Sequence, residues 1–323
     1  MLPETHSAVI LRHTIMTARR LPLALVSIVL LFAMGFTAVR ANVLGMGERF
    51  DRLTGRIEAF VDPPPDRSTI PTVVVTDDPT PTASPPPSPT AEATTEPSAS
   101  ATPVVRAPVD IRVVDDQPAV FASQLTDKDC AVAATQMVLT ILVLGDTSQQ
   151  FQQRIKDRIG EWESLDDSLN GGWGPAAVSL ALADHGATGY EIRAYASYAD
   201  ALRDSAIAIT EMDKPVVMFP WWGAHTWVMT GFRADADPTL FPDAAVSGAY
   251  ILDPWYPRVS SIWGPSDGPG NFEDLAELER NWPAFQGPPG YEQIGPGWSR
   301  PEGAYPERDG RFVILVPTTP RDP

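Results

Sequence analysis

The residues that most limit how this chain can fold lie between positions 62 and 108. This stretch contains the runs PPPDRSTIP, DDPTPTASPPPSPT and TTEPSASATP. Mixtures of Pro, Ser and Thr bury too little apolar surface to offset the entropy lost on folding, so they behave as semi-extended linkers. The sequence therefore predicts a disordered linker over 62–108 and a folded domain over 109–323.

An uninterrupted apolar run precedes this linker. Leu21 to Val39 reads LPLALVSIVLLFAMGFTAV and carries no charge over its 19 residues. A helix of that length spans the hydrocarbon core of a bilayer, and the run is longer than a typical signal-peptide core. We therefore expect a transmembrane anchor at 21–39 after a short tail at 1–20. A cleavable signal is the alternative, with Val39 and Ala41 at the cleavage positions.

The arginines around the apolar run do not decide its orientation, because three precede it and four follow it before residue 57. The linker is more informative. A Pro-rich spacer after an N-terminal anchor is typical of a domain held away from the outer surface of a membrane, so we expect residues 109–323 to be extracytoplasmic. The juxtamembrane residues 40–61 fit either a short helix on the membrane surface or an unstructured spacer.

The predicted domain is strongly acidic, which excludes some partners. From residue 109 onward there are 15 Lys and Arg against 31 Asp and Glu, a balance of −16 within a total of −17. Such a surface repels phosphate backbones, so we expect no nucleic-acid partner. The sequence has no GxxxxGK[ST] loop, so we expect no ATP. No pattern of residues suggests a metal or an organic cofactor.

Apolar periodicity divides the domain into helices followed by strands. Helices are predicted at 130–144, 148–159, 175–184 and 197–211, with a short one at 272–280. Strands are predicted over Pro215 to Phe219, Thr226 to Phe232, Ala249 to Leu252 and Arg311 to Val316. Helices first and an antiparallel sheet afterwards is the order of an α+β fold. The rest of 264–309 is rich in Gly and Pro and is expected to be irregular.

Cys130 is the one cysteine of the chain, so it has no partner for an internal disulfide. A free cysteine is most often a small buried hydrophobe. Its position favours chemistry instead, because it begins the most apolar predicted helix, directly after Asp129, a common N-cap residue. Unpaired N–H groups and the helix dipole stabilise a thiolate at such a position. We interpret Cys130 as a candidate nucleophile.

A cysteine nucleophile needs an imidazole base, and the predicted domain contains two histidines. His185 ends a predicted helix just before Gly186, where a cation offsets the helix dipole, so a structural role explains it. His225 lies between two strands in WWGAHTWVMTGF, a rigid place from which a side chain can enter a cleft. The alternative interpretation of His225 is a structural histidine packed at the edge of the sheet. By elimination, His225 is the candidate base.

Two further residues complete the candidate site. Asp253 ends a strand in AYILDPWYP, where it can orient the imidazole or act only as a turn residue. Gln124, six residues before Cys130, can offer its amide to an oxyanion together with the Cys130 N–H, or be an ordinary surface residue.

Taken in this order, these four residues resemble a known family. The segments QLTDKDCAVAATQM, HTWVMTGF and YILDP resemble the papain-like bacteriocin-leader (double-glycine) peptidases and their relatives with a Q-x5-C motif, over about residues 118–257. The resemblance implies Cys130 as nucleophile, His225 as general base and acid, Asp253 as orienting group and Gln124 as oxyanion donor. It also implies a two-lobed fold, with a helical lobe carrying the cysteine and an antiparallel sheet lobe carrying the histidine and aspartate.

Two departures limit what the resemblance implies. Ala131 follows the nucleophile where the family often has Gly, and the chain has no ATPase, so double-glycine specificity is not expected. We expect a membrane-anchored extracytoplasmic cysteine peptidase acting on a peptide or protein. The alternatives are an inactive relative that binds at a cell surface, and a cell-wall amidase or peptidyl transferase. Some of the tryptophans Trp173, Trp221, Trp222, Trp255 and Trp263 are expected to line the cleft, and most to pack in the core.

Overall fold

The computed structural model describes residues 73–76, 104–162, 173–285 and 308–321. All of these belong to one compact unit, Pro64–Pro323. The predicted tail at 1–20, anchor at 21–39 and juxtamembrane segment at 40–61 lie outside the described residues. Among the helices of the described ranges, none is both long enough and apolar enough to cross a bilayer.

The structure contains several helices, one of which is almost completely buried. They are α1 (Gln117–Val120), α2 (Cys130–Ile141), α3 (Gln149–Asp157), α4 (Ile159–Trp162), α5 (Pro175–Asp184), α6 (Tyr198–Met212) and α7 (Leu275–Asn281). Helix α2 has 11 of its 12 residues buried, so it has no solvent-facing side and serves as the central helix. Ser148 and Ser197 cap α3 and α6 through their hydroxyls, and Pro175 occupies the first turn of α5.

Most strands form a single sheet. They are β1 (Val73–Thr76), β2 (Val109–Arg112), β3 (Tyr190–Tyr195), β4 (Val216–Met218), β5 (Trp227–Ala234), β6 (Val246–Leu252), β7 (Val259–Ser260), β8 (Gly264–Pro265), β9 (Asn271–Asp274) and β10 (Phe312–Pro317). The sheet order is β1-β3-β10-β4-β5-β6-β9, and β2 pairs with the second half of β5. Strands β1 and β3 are parallel, and the other pairs are antiparallel. Strands β7 and β8 form a separate hairpin.

The central helix packs directly on the sheet. Helix α2 contacts β5, and α6 contacts β3, β4, β5, β6 and β10. The buried apolar side chains of the helices and the sheet form one continuous cluster, so the helical part and the sheet part share a core. This packing fixes the start of α2 relative to the start of β5.

The mixed α+β class predicted from the sequence is confirmed. The helices predicted at 130–144, 148–159, 175–184 and 197–211 all occur, with ends that differ by no more than three residues. Helix α2 stops at Ile141 rather than at Leu144, because Val143 has a left-handed backbone with φ of 60° that cannot continue a right-handed helix.

The structure contains two short strands, β1 and β9, in regions where the sequence predicted none. Strand β1 lies inside 62–108, where no folded structure was predicted, and it pairs with β3 while burying Val73. The other residues of 62–103 lie outside the described ranges. Within the predicted irregular region, β9 extends the sheet beside β6, so the helix expected at 272–280 begins only at Leu275. The parallel β1–β3 pair also means that the sheet is not wholly antiparallel.

Candidate active site

Cys130 is the first residue of the central helix and is 7% exposed. Asp129 occupies the N-cap position, but its carboxylate does not cap the helix. It accepts hydrogen bonds from the Thr126 backbone N–H at 3.0 Å and from the Lys156 ammonium at 2.8 Å. The first N–H groups of α2 are therefore left without a capping carboxylate in the region of Cys130, where they can donate to an anion.

Strand pairing brings His225 and Asp253 together. Strands β5 and β6 are antiparallel neighbours with Val228 opposite Leu252. His225 lies just before β5 begins, and Asp253 directly follows the end of β6, so both side chains reach the same end of the sheet. His225 Nε2 lies 2.6 Å from Asp253 Oδ1. An ionised carboxylate only accepts hydrogen bonds, so the ring nitrogen is the donor.

The sulfur of Cys130 completes this group. It accepts a hydrogen bond from Oγ1 of Thr226, the residue next to His225, at 3.9 Å. Its interaction with the imidazole is one of the causes that raise the pKa of His225. Because Asp253 occupies Nε2, the other ring nitrogen, Nδ1, is the one left for the sulfur. The structure therefore brings together three of the four residues selected from the sequence.

The environment of His225 favours its charged form. Burial lowers the pKa of this imidazole, since the ring is 2% exposed, but the charge and hydrogen bond of Asp253 and the interaction with the Cys130 sulfur outweigh it. Together they raise the pKa of His225 from 6.5 to about 9. His225 thus carries a proton at neutral pH.

Asp253 is held by more than the imidazole. Its Oδ1 also accepts a hydrogen bond from the Trp255 backbone N–H at 2.8 Å, and its Oδ2 accepts one from Ser266 Oγ at 2.5 Å. Burial raises the pKa of Asp253, but the charge and hydrogen bond of His225, with the two further donors, lower it overall. Ser266 lies in the Gly/Pro-rich segment outside the sequence motifs, and no sequence signal pointed to it.

Gln124 is buried, at 2% exposure, next to the residues that follow Asp253. Its backbone N–H donates to the Pro254 carbonyl at 2.9 Å, and its side-chain Nε2 donates to the Thr126 carbonyl at 2.7 Å. One of the two amide hydrogens is therefore used within the loop that precedes Cys130, which leaves the other for a ligand. Its Oε1 has no hydrogen-bond partner among the described residues.

A buried glutamine network, which the sequence did not reveal, fixes the loop before Cys130. Gln152 on α3 accepts from the Leu125 backbone N–H at 2.9 Å and donates to the Ser123 carbonyl at 3.1 Å. It also donates to Gln136 Oε1 at 2.7 Å, on the central helix. Both glutamines are buried, so these hydrogen bonds connect α2, α3 and the loop in a site shielded from water.

A cluster of tryptophans packs against His225. Trp221 stacks on the imidazole with ring centroids 4.0 Å apart and an angle of 18°, and Trp255 meets it edge-on at 6.3 Å. Trp263 lies parallel to Trp221 at 6.0 Å, and Trp222, 37% exposed, contacts Trp263. The expectation that most of these side chains pack in the core is therefore wrong, because only Trp173 of the five is buried.

The turn that carries two of these rings is strained. Trp221 and Trp222 have φ of 56° and 59°, a left-handed conformation that is an outlier for bulky residues. Gly223 follows at φ of 85°, and a Cβ there would lie 2.3 Å from the Phe285 ring. Backbone strain of this kind persists where the surroundings impose it, most often at functional sites. Here it places the Trp221 ring over the imidazole.

His185 has the structural role that the sequence predicted. It is the C-cap residue of α5, and its Nδ1 lies 2.9 Å from the Ala181 carbonyl. Its ring contacts Phe151 and Trp162, away from the residues around Cys130. Of the two histidines in the described part of the chain, His225 is therefore the one that interacts with the cysteine.

A cavity of about 450 Å³ lies at the other end of the central helix and has no part in this site. It is lined by Leu142, Val143, Leu144, Gly186, Ala187, Lys214 and Arg321. Since α2 begins at Cys130 and ends at Ile141, this cavity is about 18 Å from the thiol along the helix axis. The candidate active site therefore lies outside this cavity.

Comparison with known proteins gives similarity to solved structures only. No protein-family model matches the chain, and no curated protein matches it. Among solved structures, the chain is similar to a double glycine motif protease from an AMS/PCAT transporter, solved in complex with the leader peptide. The similarity covers 61% of this chain and 91% of that one, with 16% identity and a TM-score of 0.31. That protein is a protease of the kind that the sequence motifs resemble.

Proposed function

We propose that this protein is a cysteine peptidase in which Cys130 is the nucleophile, His225 the general base and acid, and Asp253 the orienting group. One observation carries the proposal. The imidazole of His225 is held by Asp253 through Nε2 at 2.6 Å while its ring also interacts with the sulfur at the start of α2. A nucleophile, a base and a group that fixes the base form the minimal set for acyl transfer.

In the first half of the reaction, the Cys130 thiolate attacks the carbonyl carbon of a peptide bond. The resulting oxyanion is stabilised by the Cys130 backbone N–H and by the unused amide hydrogen of Gln124. The C–N bond then breaks as the His225 imidazolium gives its Nδ1 proton to the departing amine. The acyl group remains on the sulfur as a thioester.

In the second half, water replaces the amine. Neutral His225 removes a proton from water, and the oxygen attacks the thioester carbon. The C–S bond breaks, the peptide product leaves as a carboxylic acid that loses its proton to solvent, and the thiolate–imidazolium pair is restored. Throughout the cycle Asp253 keeps Nε2 protonated, so Nδ1 alone exchanges the proton.

The surroundings of the site suit a peptide substrate. Four tryptophans beside His225 offer apolar surface for side chains on either side of the scissile bond, and Trp222 is exposed at the rim. The domain's balance of −16 from residue 109 onward disfavours a phosphate-rich polymer. A peptide or protein is therefore the substrate class that we propose.

We also propose that the apolar run at 21–39 anchors the peptidase to a membrane with residues 109–323 outside the cytoplasm. The support is the length of the run and the Pro-rich composition of 62–108. Fractionation of cells expressing the full chain, with protease added to intact cells, tests both parts. Recovery in the soluble fraction, or protection of the domain from added protease, would contradict the proposal.

The single cysteine allows a direct test of the site. In the full chain, iodoacetamide can alkylate only Cys130, so intact-protein mass spectrometry reports its reactivity without ambiguity. At pH 7 we expect alkylation at least about tenfold faster than that of a free model thiol, because the imidazolium and helix start favour the thiolate. His225→Ala should remove this advantage, and His185→Ala should not.

Peptide hydrolysis is measured on the same variants with a library of fluorogenic peptides. We expect turnover by the wild type and by His185→Ala, and loss of about a thousandfold or more with Cys130→Ala or His225→Ala. A wild-type thiol that reacts no faster than the model compound, together with no turnover of any peptide, would overturn the proposed function.

A further inference from the structure

The hairpin formed by β7 and β8 meets the candidate site at several points. At its base, Ser266 donates from Oγ to Asp253 Oδ2 at 2.5 Å. In the turn between the two strands, Trp263 lies parallel to Trp221, the ring that stacks on His225. This hairpin belongs to residues 258–266, which lie almost entirely beyond the motifs that suggested the site.

The same hairpin is fixed to the loop before the cysteine. Arg258 donates to the Gln124 carbonyl at 3.0 Å, to the Leu125 carbonyl at 3.1 Å and to Asp127 Oδ1 at 2.6 Å. The Ser266 backbone N–H donates back to the Arg258 carbonyl at 3.3 Å, which closes the hairpin base. Ser266 is thus held in place by contacts other than its hydrogen bond to Asp253.

We propose that Ser266 is a positioning residue that sets the rotation of the Asp253 carboxylate for the Asp253–His225 pair. The terminal torsion of an aspartate is broad, so it needs external hydrogen bonds to fix it. Oδ1 already accepts from His225 and from the Trp255 N–H, and Ser266 supplies the donor to Oδ2. With both oxygens held, Oδ1 stays in line with Nε2.

The hydrogen bond from Ser266 to Asp253 matters because the carboxylate is buried. Asp253 is 6% exposed, so water cannot readily replace a lost donor to Oδ2. The hydroxyl of Ser266 is also one of the groups that lower the pKa of Asp253 and keep it ionised. The charged side chain that faces Asp253 is His225, which also interacts with the Cys130 sulfur. Loss of the hydroxyl therefore loosens the carboxylate and weakens its hold on the imidazolium.

This inference rests on the proposed function for its kinetic consequences, but part of its test does not. In the full chain, Ser266→Ala should lower kcat for peptide hydrolysis by about tenfold to a hundredfold and leave KM within about threefold, because a hydrogen bond to a charged group is lost away from the substrate. Without the hydroxyl the pKa of Asp253 should rise. The acid limb of the pH–rate profile, where Asp253 becomes protonated, should therefore move to higher pH. Ser266→Thr, which retains the hydroxyl, should recover most of the activity.

Ser260→Ala is the matched control on the same hairpin. Ser260 Oγ accepts from the Ile262 and Trp263 backbone N–H groups, whereas the hydrogen bonds to Asp253 come from His225, Trp255 and Ser266. If a loosened hairpin alone reduced the rate, Ser260→Ala would reproduce the effect of Ser266→Ala. Equal losses of kcat in the two alanine variants, with no shift of the acid limb, would overturn the proposed role.

A measurement that needs no turnover separates this inference from the proposed function. NMR titration of ring-labelled histidine in the full chain gives the pKa of His225, identified by the signal missing in His225→Gln. We expect Ser266→Ala to lower that pKa and Ser260→Ala and Ser266→Thr to leave it near the wild-type value. An unchanged pKa in Ser266→Ala would refute the role of Ser266 even in an active enzyme. A lowered pKa in a protein without peptidase activity would support it while the proposed function fails.

Discussion

At the scale of single residues, the charge of His225 depends on three neighbours that act in the same direction. Asp253 attracts the imidazolium, the Cys130 sulfur interacts with it, and Trp221 places the electron-rich face of its indole against it at 4.0 Å. Burial opposes all three, because the ring has little water around it. The balance favours the charged ring, and this makes stability depend on pH.

The raised pKa of His225 predicts that the protein loses stability in mildly alkaline solution. A group whose pKa is higher in the folded state than in the unfolded state contributes fully below the unfolded value and loses its contribution as the pH passes the folded value. Here the window runs from 6.5 to about 9. We expect the free energy of unfolding to fall by up to about 3 kcal/mol across it.

Urea unfolding at pH 6.5 and pH 9 measures this change. The control is His225→Gln, which can still donate to Asp253 but does not titrate, so its stability should change much less over the same window. Asp253 affects stability in acidic solution instead. Because its pKa is lowered in the folded state, its contribution to the free energy of unfolding is lost as the pH falls below the usual range for aspartate. A wild type that is as stable at pH 9 as at pH 6.5 would contradict the expected charge on His225.

Gly231 shows how a residue of the sequence motif acts through packing. It is the last residue of HTWVMTG and lies on β5 opposite Arg112 of β2. A Cβ at this position would lie 2.2 Å from the Ile111 carbonyl oxygen and 2.9 Å from the Arg112 Cα, both backbone atoms that cannot move aside. The glycine is required by the close approach of β2.

We therefore expect Gly231→Ala to destabilise the protein by about 1–3 kcal/mol or more through separation of β2 from β5. Gly268→Ala is the control, since its Cβ would meet the Tyr256 ring only at 4.0 Å. Thermal unfolding of the two variants compares them directly. Equal melting temperatures would show that β2 yields easily and that the motif glycine has another cause.

At the scale of secondary-structure elements, α3 holds the loop that delivers Cys130. Gln152 on this helix satisfies three polar groups at once, on Leu125, Ser123 and Gln136. The bond to Gln136 is fully buried and the other two are partly buried, so the loss of Gln152 leaves their polar groups without these partners. The position of the nucleophile thus depends on a residue 22 positions further along the chain.

Gln152→Leu should destabilise the protein by about 2–4 kcal/mol, because up to three buried polar groups lose their hydrogen bonds. Gln153→Leu is the matched control on the same helix, where the exposed side chain donates only to Asp157 and should matter by less than about 0.5 kcal/mol. Urea unfolding gives both values. A Gln152→Leu variant as stable as the control would mean that the loop does not depend on this network.

Long elements and scarce residue types were predictable from the sequence, and contacts between distant segments were not. Helix α2 has a continuous apolar pattern, and Cys130 and His225 stood out because the domain has one cysteine and two histidines. Ser266 and Gln152 are common residue types whose importance arises only when the fold brings them to Asp253 and Leu125. No local pattern carries that information.

At the scale of the whole molecule, strand β1 extends the sheet beyond the part of the chain that the sequence marked as folded. It pairs in parallel with β3, and β3 continues through β10 and β4 to β5, which starts just after His225. The four residues VVVT favour a strand by their β-branched side chains, but the surrounding Pro and Thr concealed the signal. An edge strand of this kind protects the strand behind it.

Docking of β1 can be tested with two neighbouring valines. Val73 is buried and Val74 is 40% exposed, so Val73→Asp places a carboxylate against the core and Val74→Asp does not. We expect Val73→Asp to release β1 from the sheet. The free energy of unfolding should fall by no more than about 2–3 kcal/mol, because the gain from burying the valine is partly offset by the entropy lost when four residues become ordered. Hydrogen exchange of the β3 amides, residues 190–195, should accelerate in this variant, and the exposed edge should cause concentration-dependent self-association. If Val73→Asp and Val74→Asp give the same exchange as the wild type, β1 is not what covers this edge, and the folded domain begins with β2 as the sequence predicted.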